Sequence, residues 1–151
     1  MDKIFGLSID EIYWNLKIGK SRQRANIFEV RENLNEFIKK PVFFLSTGRC
    51  GTKWFSSLLD AKKDIKTLHS PVPSFASQTS VLHKLYQNQD INEVEMNLVN
   101  ELFLTGREQH LRFLHKAGKR YVETNNYITL LSPALAELFP DAIFVHLYRH
   151  P

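Results

Sequence analysis

Ser46-Thr47-Gly48-Arg49-Cys50-Gly51-Thr52-Lys53 places two glycines, two cations and three hydroxyls within eight positions. Glycine lets backbone N–H groups come close to a ligand, and a helix starting after such a loop adds the positive end of its dipole. Arg49 and Lys53 add charge. Thr52 offers a hydroxyl and is the expected N-cap of the helix. The natural occupant is a phosphate or sulfate group held by Thr47, Gly48, Arg49, Cys50, Gly51, Thr52 and Lys53. The spacing fails the nucleoside-triphosphate loop pattern, which is Gly, four residues, then Gly-Lys and Ser or Thr. Ser46 stands where the first glycine belongs, and Lys53 comes one place late. After the apolar run ending at Tyr148 stands Arg149, where a magnesium-dependent NTPase has an Asp. The loop is built for an anion, with no metal expected.

Such a loop needs a strand before it and a helix after it. Pro41 is followed by Val42-Phe43-Phe44-Leu45, a continuous apolar run that reads as a strand buried on both faces. Trp54, Phe55, Leu58 and Leu59 then recur at helical spacing. Ile65 to His69 reads as a second strand and Ser70-Pro71-Val72-Pro73-Ser74 as a loop, with Phe75 packing inward. Val81, Leu82, Leu85 and Tyr86 predict a short helix. Asn92 caps a longer one that runs past Gly106 and stops at Gly118. Tyr121-Val122-Glu123 is a strand. Ile128 to Phe139 reads as one helix with Pro133 in its first turn. Ile143 to Tyr148 reads as another buried strand, with His146 in the core. Alternating strands and helices predict an α/β fold with a parallel sheet in three layers, whose ligands bind at the carboxyl ends of the strands. Residues 1–40 form a separate helical segment. Its first helix follows Ser8, its second runs from Phe28 to Ile38, and Lys17, Lys20, Arg22 and Arg24 cluster on a solvated end between them.

Composition sets outer limits. The 151 residues are 43% hydrophobic and 24% charged, enough for a real core. A net charge of +4 permits an anionic ligand without demanding nucleic acid. The single cysteine, Cys50, leaves no internal disulfide framework and fits a reduced, cytoplasmic setting. No signal-peptide pattern and no membrane-length apolar run is present, so no stable membrane insertion is expected.

Phe44 to Trp54 resembles the 5′-phosphosulfate loop of sulfotransferases, which has a basic residue, a small residue, then Gly-Thr and often Thr-Trp. Arg49, Cys50, Gly51, Thr52 and Trp54 fall on those places, and Lys53 departs from the commoner Thr or Ser. Leu138 to Pro151 resembles the segment that opens the family's 3′-phosphate site, with Arg149 on the phosphate-binding arginine and His150 replacing the usual Asp. The resemblance covers residues 41–151. It implies transfer of a sulfuryl group from 3′-phosphoadenosine 5′-phosphosulfate (PAPS) to a hydroxyl or amine of a small-molecule, sugar or lipid acceptor. It also implies a P-loop-like domain over 41–151 that is incomplete at its C-terminus. The family's usual length is about 200 to 300 residues, the size of one α/β domain.

The resemblance assigns roles. Arg49 contacts the phosphosulfate and stabilises the leaving phosphate, assisted by Lys53. Gly51 and Thr52 cradle the 5′-phosphate, and Arg149 takes the 3′-phosphate. The general base comes from a histidine or glutamate near the sheet's carboxyl edge. The two candidates are His69, before Ser70-Pro71, and Glu123, in a segment where relatives carry a lysine or histidine. Two alternatives stand beside this reading: a P-loop nucleotide kinase, and a non-catalytic fragment that keeps the nucleotide-binding fold.

Overall fold

The computed structural model describes residues 3–4, 7–8, 37–88 and 91–149. The chain divides into two compact units, Met1–Asn33 and Leu34–Pro151. In the first, β1 (Lys3–Ile4) pairs antiparallel with β2 (Leu7–Ser8). The helix expected after Ser8, the cluster Lys17, Lys20, Arg22 and Arg24, and nearly all of the helix expected from Phe28 to Ile38 lie outside the described residues, as do His150 and Pro151.

The second unit alternates strands and helices as its apolar pattern predicts. Its elements are β3 (Val42–Ser46), α1 (Thr52–Asp60), β4 (Ile65–Leu68), α2 (Ala76–Asn88), α3 (Glu93–Lys116), β5 (Arg120–Glu123), α4 (Ser132–Leu138) and β6 (Ile143–Leu147). The four longer strands form an all-parallel sheet in the order β4-β5-β3-β6. Successive strand residues face opposite sides. Phe43 therefore packs on one face against Phe103 of α3 and Phe139 after α4, while Phe44 packs on the other against Phe55 of α1. Helices thus cover both faces of the sheet. Asn92 caps α3 through a reciprocal pair with Glu95, and Gly118, at φ 62°, ends it. Among the described residues no helix is long and apolar enough to cross a membrane.

Two elements differ from the sequence reading. The helix expected over 128–139 is two pieces, a 3₁₀ turn over Asn126–Leu131 and then α4. Pro133 has no N–H for a helical bond to the preceding turn, so it opens a new helix. The strand β6 is not buried. It lies at the sheet's edge, with Ile143, Phe144 and His146 exposed, and His146 packs beside Tyr148 rather than in the core. An apolar run reports strand propensity, but its position in the sheet decides what covers it.

Two local devices fix the frame. Phe75 is buried against α3 at Gly106, where a Cβ would overlap the Phe75 ring and lie 3.1 Å from Pro73 Cγ. The carboxylate of Asp60, at the end of α1, accepts from the Thr67 N–H at 3.0 Å and from Lys66 Nζ at 2.6 Å, aligning β4. The Lys66 hydrogen bond, followed by that of Thr67, holds the Asp60 carboxyl below its ordinary range.

Gly106→Ala should lower unfolding stability by about 1–3 kcal/mol, read from urea midpoints, because the buried ring has nowhere to move. For Asp60 the folded pKa is depressed, so its contribution is full above the unfolded carboxylate pKa of about 4 and is lost as pH falls through the lower folded value. The stability gap between wild type and Asp60→Asn should therefore be constant near pH 6 and narrow below about pH 4.

Candidate active site at the carboxyl edge of the sheet

The parallel sheet brings the carboxyl ends of β3, β4, β5 and β6 to one edge. The loop after β3, His69 after β4, Thr124 and Asn125 after β5, and Arg149 after β6 all start there. The edge is stepped. Leu68, Glu123, Phe43 and Phe144 lie in one register row. β4 ends at Leu68 and β5 at Glu123, while β3 and β6 continue to the paired Ser46 and Leu147. Three further residues raise the glycine loop roughly 10 Å above the ends of β4 and β5.

The 3₁₀ turn fills that step. Thr129 Oγ1 accepts from the Ser46 N–H at 2.9 Å and donates to the Ser46 carbonyl at 3.0 Å. One hydroxyl so replaces the strand partner that β5 no longer provides. Asn126 lies beside Gly48, 3.7 Å from where a Cβ would stand. The loop itself is strongly turned, with Gly48 at φ 92°, Arg49 at 53° and Gly51 at 88°. Glycine fits such angles without steric cost, and Arg49 adopts one at a cost of order 1 kcal/mol. Cys50 donates its thiol to the Gly48 carbonyl at 3.0 Å, so it closes the loop from inside.

Thr52 is not the N-cap. Gly51 holds that position in the left-handed region, Thr52 is the first helical residue, and no side chain caps α1. The first turn contains no acidic residue. The amide end of α1 thus has no side-chain partner and is flanked by the exposed Arg49 and Lys53, an arrangement that suits an anion. Arg149, also exposed, comes two residues after Leu147 and so starts level with the loop.

The two base candidates separate sharply. Glu123 is fully buried. Its Oε2 accepts from Arg107 Nε at 2.9 Å and from the Tyr121 hydroxyl, and its Oε1 accepts from Arg107 Nη2 at 2.7 Å and Asn125 Nδ2 at 3.1 Å. Every donor on this carboxylate belongs to the core, and the carboxylate has no exposed edge. Burial and then the Glu123 charge push the Tyr121 phenol well above its ordinary range. Burial pulls the Arg107 guanidinium down, but Glu123 outweighs it and leaves Arg107 above its usual value. His69 is exposed, and its Nδ1 lies 3.0 Å from the Thr124 carbonyl oxygen and 3.1 Å from Thr124 Oγ1. The carbonyl only accepts, so a bond to it needs the proton on Nδ1, which leaves Nε2 with its lone pair; the hydroxyl can take either role.

Arg107 and Thr129 are the residues that motif reading passed over. Arg107 had a signal: it falls at helical spacing among Phe103, Leu104, Leu111 and Leu114, on a face that is otherwise apolar. Thr129 had none, because its partner Ser46 is 83 residues away. Among the described residues no group of three or more His, Cys, Asp or Glu side chains could hold a metal ion.

A stepped, all-parallel edge with a glycine loop and an uncapped helix start defines an α/β protein of the sulfotransferase-like kind. Residues 41–151 match the sulfotransferase family, and the chain belongs to that family. Comparison with curated proteins and with solved structures gives no match. Membership brings sulfuryl transfer as the general chemistry, with a sulfonate donor.

Thr129→Val keeps the shape and leaves the Ser46 N–H and carbonyl without their partner. It should cost about 1–3 kcal/mol of stability, measured by thermal or urea unfolding.

Proposed function

We propose that this chain transfers a sulfuryl group from PAPS to a hydroxyl or amine of a small-molecule, sugar or lipid acceptor. The loop Ser46 to Lys53 holds the 5′-phosphosulfate and Arg149 the 3′-phosphate. His69 Nε2 takes the acceptor proton as the acceptor oxygen or nitrogen bonds to sulfur. The bond between sulfur and the bridging oxygen breaks, and its electron pair leaves with the phosphate. Arg49, Lys53 and the N–H groups at the start of α1 meet the charge that develops there. The observation that carries this reading is the uncapped, acid-free start of α1 behind Gly51, set between two exposed cations in a sulfotransferase domain. The oriented His69 supports proton transfer without Glu123. A kinase reading fits less well, because Arg149 is a cation where magnesium would need a carboxylate. The single free thiol, Cys50, fits a reduced cytoplasmic setting.

Calorimetric titration with 3′-phosphoadenosine 5′-phosphate should show binding, weakened at least about tenfold in Arg49→Ala, since a charge-assisted contact is worth roughly 1.5–3 kcal/mol. His69→Ala should keep that binding and lose transfer of labelled sulfate from PAPS. Absence of heat at millimolar ligand, or binding indifferent to Arg49→Ala, overturns the proposal. Binding without transfer to any sugar, lipid or alcohol acceptor favours a non-catalytic domain.

A further inference from the structure

The residue that ties the acceptor side of this edge together is Arg107, which lies outside every sequence motif. It is fully buried, and its guanidinium reaches three segments. Nε and Nη2 grip Glu123 at the end of β5. Nη1 donates to the Pro73 carbonyl at 2.6 Å, in the loop that follows His69. Its Cζ lies 4.2 Å over the centre of the Phe75 ring, which closes the same loop. Asn125 doubles the connection, since its Nδ2 donates both to Glu123 Oε1 and to the Ser74 carbonyl, each at 3.1 Å.

Thr124 lies between Glu123 and Asn125. Its N–H donates to the Leu68 carbonyl at 2.9 Å, and its own carbonyl oxygen lies 3.0 Å from His69 Nδ1. The peptide that orients His69 is therefore flanked by two side chains locked to Arg107 or to its partner. The loop after His69 is locked to the same guanidinium. The glycine loop is not: it hangs on Thr129.

We infer that Arg107 is a positioning residue that fixes the Nδ1–H form and orientation of His69, and the Ser70–Phe75 loop beside it, through Glu123, Asn125 and the Pro73 carbonyl. The kinetic part of this inference rests on the proposed role of His69 as base; the tautomer part does not. Arginine is specific here, because only a planar fork can grip a carboxylate at two points and still reach a third acceptor. Lysine supplies the charge from one atom.

The test is nitrogen NMR of the ¹⁵N-labelled full chain, in which long-range couplings assign the tautomer of His69, beside kinetics and donor titration. In wild type, neutral His69 should show the proton on Nδ1. Arg107→Lys and Asn125→Ala should each shift it toward the Nε2–H form and lower kcat on the order of tenfold to a hundredfold, the scale of a small misplacement at a reacting centre. The Kd for 3′-phosphoadenosine 5′-phosphate should change less than about threefold in Arg107→Lys; Asn125 also caps the turn that carries Thr129, so Asn125→Ala is read by its His69 tautomer. If Arg107→Lys fails to fold, Asn125→Ala leaves the Arg107–Glu123 grip intact and carries the test. A merely structural role predicts lower stability with an unchanged His69 spectrum and unchanged kcat per folded molecule, and that result overturns the inference. So does a wild-type His69 that is mainly Nε2–H, a reading that needs no variant. A tautomer shift without measurable sulfuryl transfer leaves the positioning role standing and removes the proposed reaction.

Discussion

The buried pair of Arg107 and Glu123 is the interaction on which the carboxyl edge depends. Taking both charges out of water is expensive, and the pair repays this only through geometry. The geometry is complete: two contacts on the carboxylate from one guanidinium, a third from Tyr121, a fourth from Asn125, and the remaining guanidinium nitrogen on Pro73 and Gly106. Loss of either partner would strand a charge in the core, at a cost of about 3–5 kcal/mol. An apolar pair of equal volume could match the stability, but it could not hold two backbone segments in register. The network therefore does positional work that packing alone does not.

That network divides the edge into two halves that meet at Asn125. On one side, His69 and the 70–75 loop hang on Arg107, Asn125 and Thr124. On the other, the glycine loop hangs on one threonine hydroxyl of the 3₁₀ turn. Asn125 is the hinge between them, because its Oδ1 also accepts from the Tyr127 N–H and so starts the turn that carries Thr129. The stepped strands explain the arrangement. Where β5 stops short of β3, a different element must satisfy the Ser46 backbone, and Thr129 does so.

Much of the fold was legible in the chain. The apolar run Val42–Leu45 followed by Gly48 and Gly51 announces a strand, a tight loop and a helix, and the structure has all three. Asn92 marked the start of α3 and Gly118 its end. Thr52 misled because hydroxyl side chains are usual N-caps, whereas a glycine with positive φ had already turned the chain into the helix. β6 misled because Ile143 to Leu147 is apolar whether or not a neighbouring layer covers it. The grip on Glu123 was not legible, because a carboxylate at a strand end looks the same in sequence when it is free as when it is gripped.

What the sequence by itself determined about this protein is local: which segments are strands and helices, where the chain must turn, and that a loop with Arg49, Gly51 and Lys53 suits an anion. These follow from periodicity and backbone freedom within a few residues. Only the tertiary structure decided which carboxylate is buried, which histidine meets the Thr124 backbone, and what supports the loop. Those depend on pairs such as Arg107 with Glu123, His69 with Thr124 and Ser46 with Thr129, which are 16, 55 and 83 residues apart. Hydrogen bonds act over about 3 Å in space and carry no trace in residue order.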